Sequence, residues 1–250
     1  MIEPQDLTAY CDALLDVAAV TDYAPNGLQV EGVRPIRRLV TGVTACAALI
    51  AAACDPDADA LLVHHGWFWR GESPCLTGAK GRRVRALMDS GMSLIAYHLP
   101  LDTHLTLGNN ATLAVRLGIL DAQPTAIGHG VVWRGRLMDA LPPEVWARAV
   151  SERLGRTGTL VAADDRPVRR IAWCTGGGQG YLEAAAALGI DAFLSGEISE
   201  QTTHAARELG VSFLAAGHHA TERYGVQALG EHLAERFILS HRYLEIDNPA

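Results

Sequence analysis

Short apolar segments alternate with helix-forming segments along most of the chain, and this order limits the folds available to it. Residues 58–66 (ADALLVHHG) form an apolar run of the kind found in buried parallel strands. Residues 81–90 (GRRVRALMDS) form a predicted helix that ends at Gly91, and residues 93–99 (SLIAYHL) form the next predicted strand. Strands separated by helices predict an α/β fold, with mostly parallel sheets flanked by helices.

The alternation weakens between residues 120 and 130 and then resumes, which predicts two α/β domains, residues 1–125 and residues 126–250. Three strand segments, DALLVHHG, DAFLSGEIS and SFLAAGHHA, end in polar residues, which gives weak support to an internal duplication. Further helices are predicted at 5–19, 45–54, 109–118, 142–154, 181–189, 198–210 and 220–237. Further strands are predicted at 37–43, 131–137, 168–175, 192–197, 211–217 and 242–247, and a loop at 22–32.

The composition of the 250 residues is that of a folded globular protein, with 49% apolar and 20% charged residues. The formal net charge of -7 argues against a protein that binds nucleic acid by broad phosphate neutralisation. Five cysteines without a CxxC pair favour a reducing compartment. Neither a signal peptide nor an apolar membrane span is evident, so we expect a cytoplasmic protein without membrane contact.

Histidine and carboxylate side chains follow several of the predicted strands. They are His64, His65, Asp102, His218 and Glu222. Because open parallel sheets bind ligands beyond the carboxyl ends of their strands, these residues are candidates for one site. Taken singly, residues of these types are more often ordinary surface or core residues than metal ligands.

The spacing of these residues favours two metal ions over one. His218 and Glu222 are four residues apart and share a helix face if the helix begins early enough. His64 and His65 are adjacent on a strand, so we expect them to point to opposite sides and to serve one metal each. A carboxylate can bridge the two ions, and hydroxide held between them is a strong nucleophile. Imidazole and carboxylate ligands suit zinc, manganese, iron, cobalt or nickel.

Five segments of the chain carry recognisable motifs: NGLQVEG (26–32), VHHGWFWRGE (63–72), HLPLDTHLTLGNNA (98–111), SGEISEQTTH (195–204) and AAGHHATERYGVQALGEHL (215–233). Together they resemble the Nif-three-like dinuclear-metal proteins, also called GTP cyclohydrolase 1 type 2 homologues. The resemblance extends over nearly the whole chain, and it is to the short bacterial form, which lacks an inserted middle domain.

The resemblance implies two interleaved α/β domains and a ring-shaped homohexamer, a trimer of dimers. It also implies two divalent metal ions per subunit, bound by the residues at positions 64, 65, 102, 218 and 222. The family name implies hydrolysis of the guanine imidazole ring of GTP, with attack at C8 and protonation of the departing nitrogen.

Other polar residues near the ligand segments are candidates for outer partners or proton carriers. They are His98, His104, Glu197, His204 and His219. Metal-binding histidines usually need such a partner to fix the tautomer. We predict His98 and Glu197 as the proton carriers, with a surface or interface position as the alternative.

The aromatic segment after His65 offers candidates for substrate binding. Trp67 could stack on a purine and Arg70 could hold a phosphate, although Trp67, Phe68 and Trp69 are more typical of a core or subunit interface. The GGGQG loop (176–180) lacks both the Walker A and the GxGxxG pattern, so a tight turn is favoured over a phosphate contact.

These observations predict a dinuclear metal-dependent hydrolase that acts on a small nucleotide-like or heterocyclic substrate, with GTP cyclohydrolase activity as the specific case. The alternatives are a non-enzymatic protein for metal storage, delivery or sensing, and a ring-shaped scaffold.

Overall fold

The computed structural model describes residues 1–54 and 58–250. The helices in these residues are α1 (Pro4–Leu14), α2 (Ala47–Cys54), α3 (Gly78–Ser90), α4 (Leu99–Thr103), α5 (Asn109–Leu117), α6 (Pro143–Leu154), α7 (Leu182–Ala186), α8 (Glu200–Leu209) and α9 (His218–Phe237). The strands are β1 (Gly27–Val30), β2 (Arg38–Thr44), β3 (Ala60–His65), β4 (Ser93–Ala96), β5 (Leu120–Pro124), β6 (Trp133–Leu141), β7 (Thr159–Val161), β8 (Val168–Cys174), β9 (Ala192–Ser195), β10 (Ser212–Ala215) and β11 (Ser240–Tyr243).

The chain forms two compact units, and each contains one sheet. Unit 1 comprises Met1–Leu101 and Gly225–Asp247, and unit 2 comprises Asp102–Tyr224 and Asn248–Ala250. These units are defined by packing alone, so the predicted domain division between residues 125 and 126 stays a prediction.

The sheet of unit 1 has the strand order β1-β4-β3-β2-β11. Its pairs are parallel except for β1 with β4, and β11 pairs with β2 from Ser240 opposite Arg38. Apolar side chains of β3 and β4 are buried under α2 and α3. Asp59, just before β3, accepts hydrogen bonds from the backbone N–H groups of Arg37 and Arg38 at 3.0 and 2.9 Å. This contact ties the start of β3 to the start of β2.

The sheet of unit 2 has the strand order β5-β6-β8-β9-β10-β7. Strands β8, β9 and β10 are parallel, and the pairs on either side of them are antiparallel. Asp191, just before β9, accepts hydrogen bonds from the backbone N–H groups of Arg169 and Arg170 at 3.1 and 2.8 Å. The core between this sheet and its helices includes the buried Trp146 and Trp173.

The α/β prediction is confirmed, because five of the nine strand pairs in the described residues are parallel and helices flank both sheets. The predicted helix stop at Gly91 is also confirmed, since this residue takes the left-handed conformation with φ of 71°. Among the described helices, none combines the length and the apolar character that a membrane crossing requires.

Several predicted element bounds are wrong. The first helix ends at Leu14 rather than at residue 19, because Asp16 has φ of 49° and leaves the helical region. The predicted loop at 22–32 contains β1, and strands β5 and β7 were not predicted. These three strands are short and lie at sheet edges, where one side of the strand is unpaired and the apolar alternation is weak. The predicted strand at 93–99 ends at Ala96, and α4 begins three residues later.

Candidate metal centre

Three histidines lie together in unit 1 at the carboxyl ends of β3 and β4. His64 and His65 are the last residues of β3, and His98 follows β4. The ring centroids are 4.5 Å apart for His64 and His65, 5.1 Å for His64 and His98, and 5.7 Å for His65 and His98. One ring nitrogen of each lies within 4.8 Å of those of the other two. The cluster is therefore compact enough to bind a metal ion.

The expectation that His64 and His65 point to opposite sides of the strand is wrong, because their rings converge. The register gives the reason. Strand β3 pairs with β4 only as far as Val63. At His64 and His65 the strand therefore lacks hydrogen bonds to β4, and the regular alternation of side chains is not maintained there.

The rings of His64 and His65 are both held through Nδ1. The Nδ1 of His64 donates to the backbone O of Tyr97 at 2.9 Å, and the Nδ1 of His65 lies 3.3 Å from Oγ1 of Thr44. Metal-binding histidines generally use one ring nitrogen for the ion and the other for such a partner. These contacts fix the orientation of both rings.

His98 is held in the same way by a buried carboxylate. Its Nδ1 lies 2.9 Å from Oδ1 of Asp22. The carboxylate of Asp22 also accepts hydrogen bonds from Tyr23 N, Ala24 N, Leu99 N and Asn26 Nδ2. Burial alone would raise the pKa of Asp22, but the hydrogen bonds from His98 and Asn26 outweigh it and hold that pKa well below its usual range. Asp22 is thus an anionic partner that fixes the His98 ring.

Sequence reasoning missed Asp22, which lies in the segment assigned to a loop. The available indication was its position before a Pro- and Gly-containing loop, since aspartate in such places often accepts hydrogen bonds from the next backbone N–H groups. Nothing in the sequence connects it to His98, 76 residues later.

The aromatic residues after His65 have different environments. Trp67 is 5% exposed and its Nε1 donates to the backbone O of Ala45 at 2.8 Å, as expected of a core residue. Trp69 is half-buried, with ring centroids 5.9 Å from His65 and 5.0 Å from His98. The core alternative fits Trp67, whose predicted role in substrate binding stays a prediction. Within this aromatic segment, Trp69 is the residue whose ring lies beside His65 and His98.

Arg70 is exposed and contacts the loop that carries Asp22. Its backbone N donates to Tyr23 O at 2.9 Å, and its Nη2 donates to Asp22 O at 3.1 Å. The guanidinium therefore supports this loop, and its predicted phosphate contact stays a prediction.

Unit 2 contains the three other predicted ligands. Asp102 lies in α4 and is 6% exposed. Its Oδ1 accepts hydrogen bonds from Asn109 Nδ2 at 2.8 Å and from Thr175 Oγ1 at 3.3 Å. These two donors fix the orientation of the carboxylate.

His218 and Glu222 lie on one face of α9, because this helix begins at His218 itself. The Nε2 of His218 lies 3.0 Å from Oε2 of Glu222, which is 3% exposed. The predicted pairing of these residues across one helical turn is confirmed.

Glu197, predicted as a proton carrier, contacts the other nitrogen of the same ring. Its Oε1 lies 2.7 Å from Nδ1 of His218. Burial alone would lower the pKa of His218, but Glu222 and then Glu197 outweigh it and raise that pKa to about 9. Glu197 thus occupies the place of an outer partner that directs Nε2 of His218 towards a ligand-binding position. Proton transfer by Glu197 stays a prediction.

The first glycine of the GGGQG loop provides space for these two side chains. Gly176 has φ of +62°, and a Cβ atom there would lie 1.9 Å from Oε1 of Glu222 and 2.9 Å from Nε2 of His218. Any side chain at this position would displace both groups. The glycine is therefore required by the site geometry.

The remaining histidine candidates lie directly after α4, in α8 and in α9. His104 accepts a hydrogen bond from Leu107 N at 3.0 Å, and His204 has a side chain that is 63% exposed. His219 is 8% exposed and follows His218 in the first turn of α9.

The thiol of Cys174 also lies near the carboxylates of unit 2. Burial, together with the charges of Asp102 and Glu222, raises the pKa of Cys174 well above its usual value. Both causes favour the neutral thiol form of Cys174.

An α/β fold with imidazole and carboxylate donors at strand ends, most of them held by an outer partner, defines a candidate metal-binding protein. Such donors fit a divalent first-row metal.

The comparisons place the chain in a family. Residues 2–249 match the family model described as Duf34/NIF3 (NGG1p interacting factor 3), and the chain belongs to this family. It is 63% identical over 250 residues to a "GTP cyclohydrolase 1 type 2 homolog" of Allochromatium vinosum, which covers 100% of this chain and 98% of the relative. A protein of the same description from Pseudomonas aeruginosa is 54% identical over 98% of this chain and 97% of the relative.

Solved structures share the fold over the whole chain. One titled "protein ybgI, unknown function" has a TM-score of 0.96 at 46% identity and covers 100% of both chains. TTHA1606 from Thermus thermophilus has a TM-score of 0.90 at 33% identity, again with 100% of both chains covered. These matches confirm the resemblance drawn from the sequence motifs.

Proposed function

We propose that this protein is a dinuclear metal-dependent hydrolase that acts on a small nucleotide-like or heterocyclic substrate. Its ligands in this proposal are the five residues that the family resemblance implies, His64, His65, Asp102, His218 and Glu222. The number and identity of the ions, zinc, manganese, iron, cobalt or nickel, belong to the proposal as well.

The observation that carries the proposal is that outer contacts already orient the donors. In unit 1, Nδ1 of His64 contacts a backbone carbonyl and Nδ1 of His65 contacts a hydroxyl, and these contacts fix the orientation of both rings. In unit 2, Glu197 holds Nδ1 of His218, and Asn109 holds the carboxylate of Asp102. Such outer contacts are typical of functional metal sites, where they fix ligand orientation.

Bound divalent ions would supply Lewis acidity and make water a stronger nucleophile at neutral pH. The chain supplies the remaining functions. Trp69 is the half-buried aromatic surface beside the imidazoles and is suited to a planar ring. Glu197 and His98 are the candidates that donate a proton to the leaving nitrogen, and Glu197 has a side chain that is 45% exposed and so exchanges protons with solvent.

The specific substrate proposed is GTP, and the support for it is the printed name of the relatives. One water adds at C8 of the guanine ring, the bond from C8 to a ring nitrogen breaks, and that nitrogen takes up a proton. The product is a formamidopyrimidine nucleotide, and no oxidant or reductant is needed.

The test uses the full chain after removal of metal by a chelator. Samples loaded separately with each of the five metals are incubated with GTP, other nucleotides and cyclic amides, and products are identified by chromatography and mass spectrometry. We expect formamidopyrimidine formation that is lost in Glu222→Gln and retained in His204→Gln, the exposed control.

Turnover of another cyclic compound with the same variant pattern would support the hydrolase and overturn GTP as its substrate. No turnover across the panel, with metal that exchanges readily, would overturn the hydrolase and favour the storage, delivery or sensing role. An intact ring assembly in metal-free protein would count against the scaffold role.

The homohexamer and the cytoplasmic location expected from the sequence belong to the same proposal. Light scattering of the purified protein tests the assembly, and a monomer would contradict it.

A further inference from the structure

We propose that Tyr23 and Trp69 form an aromatic platform in unit 1, on which the planar heterocyclic ring of the substrate stacks. Tyr23 lies between α1 and β1, and Trp69 lies between β3 and α3. This inference rests on the proposed function and narrows its substrate class. A planar unsaturated ring, such as a nucleotide base, is favoured over a saturated cyclic amide.

The two rings contact each other and are roughly aligned. Their centroids are 5.6 Å apart and their planes differ by 35°. Both rings meet the imidazole of His98 edge-on at 5.0 Å between centroids, with interplanar angles of 78° for Tyr23 and 84° for Trp69. The two side chains therefore form one continuous aromatic surface beside this imidazole. Because the rings already touch, a planar ligand would stack on their outer surface and not between them.

The backbone that carries Tyr23 is held in place, although the residue is 53% exposed. The buried carboxylate of Asp22 accepts a hydrogen bond from Tyr23 N at 2.7 Å. Arg70 N donates to Tyr23 O at 2.9 Å, and Nη2 of Arg70 donates to Asp22 O at 3.1 Å. The ring is thus presented on a fixed segment, so little ordering is needed when a ligand binds. Exposed aromatic side chains on fixed segments are typical of binding surfaces.

Phe68 provides a contrast within the same aromatic segment. It is 38% exposed, but Nζ of Lys80 lies over its ring at 5.3 Å from the centroid. Its ring also meets that of the buried Trp67 edge-on, with centroids 6.4 Å apart. A cation already occupies one face of the Phe68 ring, so we assign this residue no part in the platform and use it as the control.

Stacking selects the type of ring more than its identity. Every nucleotide base presents a π-face, so tyrosine and tryptophan bind planar bases with little preference among them. A saturated ring is puckered and offers no such face. The platform therefore selects planar heterocycles as a class, and polar contacts must distinguish the members of that class.

The experiment compares two ligands that differ in the saturation of one ring bond. The full chain, freed of metal by a chelator, is titrated calorimetrically with uridine 5′-monophosphate, with its 5,6-dihydro form and with GTP. Removing the metal keeps phosphate–metal contacts out of the measurement. We expect both planar ligands to bind, and the dihydro form to bind at least about fivefold more weakly than uridine 5′-monophosphate.

Substitutions test the two rings separately. Tyr23→Ala and Trp69→Ala should each lower the affinity for GTP by about tenfold, because each removes one stacking partner. Tyr23→Phe keeps the ring and should retain the wild-type affinity. Phe68→Leu is the matched control and should also leave the titration unchanged.

Three results would overturn the platform. They are equal affinities for uridine 5′-monophosphate and its dihydro form, no binding of either planar ligand, and an affinity for GTP that Tyr23→Ala does not alter. A loss in Phe68→Leu as large as that in Tyr23→Ala would also overturn it, because the whole segment would then be sensitive. Should Trp69→Ala fail to fold, Tyr23→Ala, which truncates an exposed ring, and the ligand pair give the decision.

The two proposals fail in different ways. Hydrolysis of a saturated cyclic amide that depends on Glu222 and not on Tyr23 would overturn only the platform. Binding of GTP that depends on Tyr23 and Trp69, without turnover of any compound in the panel, would overturn only the hydrolase.

Discussion

Three parallel strands of each sheet, β2, β3 and β4 in unit 1 and β8, β9 and β10 in unit 2, begin with the same contacts. In unit 1, Asp59 precedes β3 and its carboxylate holds two backbone N–H groups at the start of β2. In unit 2, Asp191 precedes β9 and holds two backbone N–H groups at the start of β8. Ser93 and Ser212, which begin the third strands, pair with the alanines that follow the two aspartates. This agreement in detail strengthens the weak sequence evidence for a duplication.

The same strands end differently. Counted from Asp59 and Asp191, the positions of His64 and His65 in unit 1 correspond to Gly196 and Glu197 in unit 2. A pair of imidazoles in one sheet is thus matched by a glycine and an outer carboxylate in the other. The contacts at the strand starts are the same in both sheets and hold the strands in place. The residues at the strand ends differ in chemistry between the two sheets, and the strand arrangement is nevertheless the same.

The largest expected effect concerns the glycine that makes room in unit 2. Gly176→Ala places a Cβ against Oε1 of Glu222 at a residue with positive φ. We expect metal affinity at the unit 2 donors to fall by about 100-fold or more, measured by calorimetric titration.

Gly177→Ala is the control for this change, because a Cβ there would be 3.6 Å from Glu197, an ordinary contact. Equal losses in the two variants would show that the loop is sensitive to any substitution, and the steric explanation would be wrong.

The next effect compares the two strand-start aspartates. Asp59→Ala removes a carboxylate with a side chain that is 4% exposed, whereas the side chain of Asp191 is 23% exposed. We expect the free energy of unfolding to fall by about 2–4 kcal/mol for Asp59→Ala and by about 1–2 kcal/mol for Asp191→Ala, where water can replace the lost acceptor. Denaturant unfolding measures both free-energy losses. A larger loss for Asp191→Ala than for Asp59→Ala would contradict the role assigned to burial.

The pH dependence of stability sharpens the same comparison. Burial alone would raise the pKa of Asp59, but hydrogen bonds from Arg38 and Arg37 lower that pKa. The contribution of Asp59 to the free energy of unfolding is therefore fully present above the unfolded-state pKa of about 4. It is lost as pH falls through the lower folded-state pKa. Asp59→Asn should flatten the decline of melting temperature in acid, and an unchanged decline would contradict this assignment.

The smallest effect concerns the carboxylate that corresponds to His65. Glu197→Gln keeps the size of the side chain but weakens the contact with Nδ1 of His218. We expect about a tenfold loss of metal affinity. Glu200→Gln is the matched control, since that glutamate lies 3.9 Å from His204 at the surface. A loss in the control as large as that in Glu197→Gln would point to general surface charge.

Local patterns made the central elements predictable. The apolar run of β3, the stop of α3 at Gly91 and the pairing of His218 with Glu222 all follow from spacing within a few residues. The short edge strands β1, β5 and β7 escaped prediction because their residues lack a clear apolar alternation.

Contacts between distant residues were not predictable from the sequence. The pairing of Asp22 with His98 depends on where a loop returns to a strand end. The convergence of His64 and His65 depends on where β3 loses its neighbour β4. Both are properties of the tertiary arrangement, so no periodicity in the chain reports them.

The edge of the unit 1 sheet formed by β11 has a consequence for biosynthesis. Its partner β2 is made about 200 residues earlier, as the register of Ser240 with Arg38 shows. Until the ribosome has released the last part of the chain, β2 presents a row of unpaired N–H and C=O groups to other nascent chains. Contacts between residues so far apart in sequence form late, so a chain truncated before Ser240 would be prone to aggregation even though most of both cores had already been synthesised.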